Sequence, residues 1–263
     1  MTAKAGTAVI TGASSGIGAV YADRLARRGY DLVLVARNET RLDALASKLG
    51  HETGRRVRTV AADLGRSAEL AKIEKLLRED ASIAALVNNA GTGATAPLLQ
   101  SDIDKMSEMV RLNVTALMRL THAVMPGFVV RGHGDVINIS SIAGLAPEIL
   151  NAVYGGTKAF VLAFTLSLKN EIKGTGVRVQ AVLPGATATG FWDVAGNPVS
   201  NLPKEIVMTA EDVVDAALVG LDVGELVTIP SLPDAQDWEA YEGARQKLMP
   251  NLSRAKPAAR YQA

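Results

Sequence analysis

The chain has no cysteine among its 263 residues. This excludes a disulfide framework, thiolate catalysis and cysteine-based zinc sites, and it fits a reducing compartment. Its three histidines, His51, His122 and His133, are scattered without ligand spacing, so no metal is expected. An excess of charge is missing too: 28 Lys+Arg against 27 Asp+Glu leave a formal net charge of +1. Neither nucleic acid nor an anionic membrane is therefore expected as partner, and a small neutral ligand fits better. Apolar runs such as Leu32 to Ala36 and Val136 to Ile139 fall far short of the roughly 18 to 20 residues that span a bilayer. The strand-like run Ala8-Val9-Ile10 begins within the first ten residues and leaves no room for a secretion signal. A soluble, cytoplasmic protein is the expectation.

What is present is a regular alternation. Short β-branched runs recur at Thr7–Ile10, Asp31–Val35, Val57–Ala61, Ala84–Val87, Asp135–Ile139, Arg178–Val182 and Leu226–Ile229. Lacking in/out alternation, they read as parallel strands covered on both faces. Stretches with helical spacing lie between them, at Ala19–Arg28, Glu39–Leu49, Ala68–Glu79, Asp102–Met125 and Lys158–Ile172. The pattern predicts an α/β fold: a doubly wound, mostly parallel seven-stranded sheet with helices on both faces. No linker, internal repeat or low-complexity tract interrupts it, so one domain over 1–263 is expected. The segment 190–208, carrying Phe191, Trp192, Pro198 and Pro203 without periodicity, reads as a loop or lid beside the sheet. The last thirty residues read as a surface helix followed by a tail over about 250–263.

The first strand runs into Thr11-Gly12-Ala13-Ser14-Ser15-Gly16-Ile17-Gly18 and then directly into a helix. Such a turn aims backbone N–H groups and the helix N-terminus at a pyrophosphate, and its glycines remove the Cβ atoms that would block close approach. Gly12, Ser14, Ser15, Gly16, Ile17 and Gly18 are the candidate contacts. The spacing is G-x-x-x-G-x-G, which departs from G-x-G-x-x-G, and a turn whose glycines serve packing alone is the alternative. A residue that reads the ribose is expected about 20 positions further on. Counting from Gly16 gives Ala36 and Arg37, so the carboxylate that would bind a 2′-hydroxyl is missing and a guanidinium suited to a 2′-phosphate stands beside the gap. NADP(H) is therefore favoured over NAD(H). The alternative makes Arg37 a solvated cation near Glu39, and Arg41 either assists or forms a helix-face salt bridge.

Tyr154-Gly155-Gly156-Thr157-Lys158 puts a phenol and an ammonium on one helix face. The cation favours phenolate and lowers a pKa of about 10, which suits Tyr154 to proton transfer with a substrate oxygen. Thirteen residues upstream, Ser140 and Ser141 end a strand, at the sheet edge where open α/β folds bind ligands. Neither Ser14-Ser15 nor Ser140-Ser141 sits in the G-x-S-x-G of a hydrolase.

At these residues the chain resembles the short-chain dehydrogenase/reductase family, in the subgroup with the T-G-x-x-x-G-x-G turn. The resemblance covers roughly residues 5 to 190. It rests on Thr11–Gly18, Asn88-Asn89-Ala90-Gly91, Asn113, Ser141, Tyr154 with Lys158, and Pro184-Gly185 with Thr189, all in the expected order. It implies that Ser141 bonds the substrate oxygen, with Ser140 structural. Lys158 would also hold the nicotinamide ribose, and Asn113 would anchor a water relaying protons to Lys158. Asp63 and Leu64 would meet the adenine, although for Asp63 a helix N-cap is the rival. Asn89, Ala90 and Gly91 would support the cofactor ribose, and Pro184, Gly185, Thr187 and Thr189 would meet the nicotinamide side. Where many members have Ala-Ser before the lysine, this chain has Gly156-Thr157 after Gly155, and each glycine weakens a helix by roughly 1 kcal/mol. The reaction implied is NADP(H)-dependent hydride transfer between nicotinamide and a carbonyl or secondary alcohol. A homo-oligomer, tetramer or dimer, is implied as well. The competing expectations are a non-catalytic NADP(H)-binding regulator and an NAD-preferring alcohol dehydrogenase. An apolar substrate wall is expected from Leu145, Ile149, Leu150, Phe191 and Trp192.

Overall fold

The computed structural model describes residues 6–261. Seven strands form a single sheet: β1 (Thr7–Thr11), β2 (Asp31–Ala36), β3 (Val57–Ala61), β4 (Ile83–Asn88), β5 (Gly134–Ile139), β6 (Val177–Val182) and β7 (Val227–Thr228). Their order is β3-β2-β1-β4-β5-β6-β7, and every pairing is parallel. All residues of β1, β2 and β5 are buried, which is why their sequences show no alternation. The edge strand β3 keeps a partly exposed face. The chain order reverses between β1 and β4, so the crevice beyond their carboxyl ends is the switch point where ligands bind in such sheets.

One apolar layer packs α1 (Gly16–Arg27), α2 (Glu39–Thr53) and α8 (Ala210–Val223) on the sheet, through Tyr21, Leu25, Leu42, Leu49, Val214 and Leu218. The opposite layer is built on α3 (Ser67–Glu79), α5 (Leu117–Arg131) and α6 (Ala152–Glu171), through Ile73, Leu77, Leu120, Phe128 and Leu168. Between α3 and α5, buried Glu74 bonds Arg119 and is bridged by Arg78, and those guanidinium groups hold its carboxyl below the usual range. A buried carboxylate is tolerated only with such partners.

Two helices depart from the spacing-based expectation. The stretch Asp102–Met125 divides into α4 (Ile103–Val110), a turn of π-helix at Arg111–Ala116, and α5, which continues past Pro126 to Arg131. Proline removes one intrahelical bond, yet Val124 and Phe128 on either side are buried in the core and carry the helix through. At its other end α6 begins at Ala152, ahead of the expected Lys158, because the Asn151 side chain caps it by accepting from the N–H groups of Val153 and Tyr154. The paired glycines therefore lie inside the first turns. A Cβ at Gly155 would stand 3.0 Å from Pro147, so that glycine permits a close approach, whereas a Cβ at Gly156 would meet nothing.

The segment 190–208 contains the short helix α7 (Phe191–Ala195). It is closed at its base where Ala188 N–H donates to Met208 O and Met208 N–H donates to Ala186 O, each at 2.9 Å. Compactness divides the chain after Pro230. The second unit holds α9 (Ala235–Leu248), capped by Asp234, with no buried residue and with Trp238 stacked on Tyr241 at 5.4 Å between centroids. No helix among the described residues is long and apolar enough to cross a membrane.

Candidate active site

At the carboxyl end of β1, Gly12 (φ 65°) and Gly16 (φ 55°) take left-handed backbone that other residues avoid. Gly18, in the first turn of α1, lies against the Gly12 carbonyl and the Asn89 amide, so any Cβ there would collide with both. The turn is braced from β4. Thr11 Oγ1 donates to Val87 O and accepts from the N–H groups of Asn89 and Ala90, while Asn89 Nδ2 donates to Thr11 O and Gly12 O. These bonds fix the turn that leads through Ser14 and the N-cap Ser15 into α1, and the N–H groups at such a helix start are a cradle suited to phosphate oxygens. A Cβ at Gly16 would come within 3.0 Å of Thr189, which places Thr189 over the turn from the far side of the crevice.

Arg37 follows β2 and is exposed. Its guanidinium makes no hydrogen bond or ion pair among the described residues, with Glu39 or with any other group, and neither does that of Arg41. Asn38 caps α2 between them. Two free guanidinium groups beside the cradle suit a 2′-phosphate. Asp63 accepts from Gly65 N–H at 2.9 Å as a turn residue, and the N-cap of α3 is Arg66. Leu64 is buried in the core layer under the same crevice.

Ser141, Tyr154 and Lys158 meet at the ends of β5 and α6, all buried. Ser141 Oγ accepts from Ala143 N–H at 3.1 Å, which leaves its own hydrogen to donate. Lys158 Nζ donates to Ile139 O at 2.9 Å and lies 5.8 Å from the Tyr154 ring centroid, with its other N–H donors left for an incoming ligand. Contrary to the lowering expected from the Lys158 charge, burial pushes the Tyr154 phenol up to about 12, against the pull of Ser141, and pushes the Lys158 ammonium down to about 8. Ser140 bonds the Lys158 carbonyl at 2.8 Å and fixes the helix.

Asn113 sits in the π-turn. Its Oδ1 accepts from Thr92 N–H, and its Nδ2 donates to Thr92 O and to Thr157 Oγ1, at 2.9 to 3.1 Å. The amide thus ties the loop after β4, beside Gly91, to the helical turn between Tyr154 and Lys158. Pro184 accepts from Ile142 N–H, and Gly185 accepts from Thr187 Oγ1, so this loop borders the serine end of the site.

Around the phenol, Ala94, Met106, Met109, Ala143, Leu150, Val153 and Phe191 form an apolar cluster. Leu150 and Phe191 belong to it, whereas Ile149 is 48% exposed. Trp192 stands behind Phe191, edge to face at 5.6 Å, and donates from Nε1 to Thr187 O. The methionines of α4 and Ala94 were not among the expected wall residues; the helical spacing of Met106 and Met109 was the only trace of them in the sequence.

A doubly wound sheet with a phosphate cradle at its switch point, next to a buried Ser–Tyr–Lys cluster, is the arrangement of a dinucleotide-dependent oxidoreductase. Residues 6–197 match the family described as short chain dehydrogenase, and the chain belongs to it. It is similar over nearly its whole length to a short-chain dehydrogenase from Sphingobium yanoikuyae in complex with NADPH: 51% identity, TM-score 0.95, covering 98% of this chain and 100% of that one. The bulky-bulky ketone specific alcohol dehydrogenase from Comamonas testosteroni is 46% identical, with a TM-score of 0.90 and coverage of 98% and 99%. The very-long-chain 3-oxoacyl-CoA reductase of Anas platyrhynchos is 36% identical over 186 residues, 69% of this chain, and the match spans only 60% of that longer protein.

Proposed function

We propose that the chain is an NADP(H)-dependent oxidoreductase interconverting ketones and secondary alcohols, and that its substrates carry two bulky substituents on the carbonyl. The observation that carries this is the buried Ser141–Tyr154–Lys158 cluster, on the same sheet as the glycine turn that follows β1. The free Arg37 guanidinium supports the phosphorylated cofactor, as does the NADPH complex of the 51% identical relative, while the apolar lining around the phenol supports a substrate with apolar substituents. The 46% identical ketone-specific relative supports the substrate class.

When bound, the nicotinamide supplies the hydride for the carbonyl carbon or takes it back from the carbinol. The chain's own residues handle the oxygen and its proton. Ser141 donates a hydrogen bond to the carbonyl oxygen, which polarises it and fixes its position. Tyr154 gives that oxygen its proton, and burial keeps the phenol protonated for the task. The Lys158 ammonium stabilises the phenolate left behind, binds the ribose hydroxyls through its remaining donors, and stands ready to return a proton. Asn113 holds Thr157, and with it the relative positions of Tyr154 and Lys158. Gly12, Ser14, Ser15, Gly16, Ile17, Gly18, Asp63, Leu64, Asn89 to Gly91, Pro184, Gly185, Thr187 and Thr189 would form the cofactor's bed.

The test follows NADPH oxidation with a ketone series running from small to doubly bulky, with Tyr154→Phe alongside. Wild-type turnover should fall by about 10²-fold or more in the variant, while NADPH still binds. Undiminished turnover in Tyr154→Phe would refute the mechanism. NADPH binding without reduction of any ketone would favour a regulator.

A further inference from the structure

Gly93 is buried two residues beyond the Asn89–Gly91 motif, and nothing in its backbone calls for glycine, since it is not among the positive-φ positions. Its missing side chain has a different explanation. The three atoms nearest a Cβ built there are all ring carbons of Phe191, the closest well inside contact distance. That ring leans on Tyr154, 5.7 Å between centroids and tilted 49°, and is backed edge-on by Trp192. It is held on three sides. The helix that carries it is closed at its base through Met208 and latched near its tip, where Thr95 donates to Ala195 O from both N–H (3.0 Å) and Oγ1 (2.9 Å). Thr95 belongs to the same loop as Gly93, so one short segment supplies both the socket for the ring and the clasp for its helix.

We infer that Phe191, seated in the Gly93 socket against Tyr154, sets the size of the substituent accepted beside the reacting oxygen, and that Gly93 is the residue that fixes where this ring stands. The inference rests on the ketone-reductase reading above. A methyl group at position 93 drives the ring out of its socket. With Trp192 behind it, the ring shifts across the phenol face, into the space a substituent would use. Removing the ring does the opposite and makes the presence or absence of that methyl irrelevant.

A double-mutant cycle over a ketone series tests this with Gly93→Ala, Phe191→Ala and the pair. Gly93→Ala should lower kcat/KM for doubly bulky ketones about tenfold or more relative to the smallest ketone, the discrimination one methyl group exerts in an apolar site. Phe191→Ala should shift the ratio toward bulky substrates, and the double variant should match Phe191→Ala. NADPH affinity should stay unchanged throughout. The contact has a readout apart from turnover: in a Trp238→Phe background Trp192 is the remaining tryptophan, and Gly93→Ala should change its emission only while Phe191 is present. Independent, multiplicative effects of the two substitutions, or an unaltered size ratio in Phe191→Ala, would overturn the inference while leaving the reductase reading intact. A wild type that binds NADPH but reduces no ketone would overturn both.

Discussion

Lys158 and Tyr154 are moved toward neutrality by the same cause, loss of solvent, and their effects on stability have opposite signs. The ammonium is lowered from 10.5 to about 8, so between those values the unfolded chain holds a proton that the folded chain has lost. Stability gained through Lys158 therefore rises with pH across that window. The phenol is raised from 10.0 to about 12, so above pH 10 the folded chain holds the extra proton and stability falls. Urea unfolding of the cofactor-free chain should show the Lys158 contribution between about pH 8 and 10, and Lys158→Met should abolish that rise. A Lys158→Met variant with an unchanged pH slope would mean the ammonium is better solvated than its burial indicates. The same residue scale decides the cofactor. Charge-assisted hydrogen bonds are worth about 1.5 to 3 kcal/mol each, so Arg37→Ala should weaken NADPH binding roughly tenfold or more and leave NADH binding nearly unaltered. Equal losses for the two cofactors, measured by titration, would remove Arg37 from the 2′-phosphate and revive the NAD-preferring reading.

At the scale of elements, what the sequence discloses and what it hides follow from how local the cause is. The strands were legible because burial on both faces selects β-branched runs such as Leu32 to Ala36. The turn before α1 was legible because Gly12, Gly16, Gly18 and the helix start fall within one short stretch of chain. The π-turn was not, because Asn113 is tied to Thr92 and Thr157, residues that no periodicity connects to it. The start of α6 was obscured by Gly155 and Gly156, whose low helix propensity is outweighed by the Asn151 cap. The socket at Gly93 depends on a contact with Phe191, more than a third of the chain away, and leaves no local trace. Among these elements the turn carries the sharpest prediction. Gly18→Ala puts a methyl group against the Gly12 carbonyl and the Asn89 amide. Its backbone φ is ordinary, so the damage should come from displaced neighbours, at the 1 to 3 kcal/mol typical of overpacking. Cofactor affinity should fall steeply while the far-ultraviolet spectrum stays native. Wild-type affinity in Gly18→Ala would mean that the cradle seen here is not the phosphate site.

For the whole molecule, the question is how much chain the catalytic unit needs. The sheet ends with Thr228, and the first unit has three apolar clusters of its own, drawn from residues between Ala8 and Leu226. Every residue proposed for cofactor or substrate lies at or before Met208. The family match itself stops at residue 197, and α9 buries none of its side chains. A single cooperative domain over 1–263 and a self-sufficient unit ending near Pro230 therefore make different predictions for a chain shortened after Pro230. Because the first unit carries its own seven-stranded sheet and apolar clusters, the shortened chain should unfold in one transition. It should lose no more than about 1 kcal/mol, a fall in Tm of roughly 2–4 °C for a domain of this size. NADPH binding should be kept, since the cradle, Arg37 and Lys158 are all retained. Calorimetry with and without NADPH separates the outcomes. A sharp transition that NADPH moves upward in both chains would place the boundary at Pro230, because a ligand bound only by the folded state raises Tm by mass action. A broad transition indifferent to NADPH would show that the segment after Pro230 is part of the folding unit.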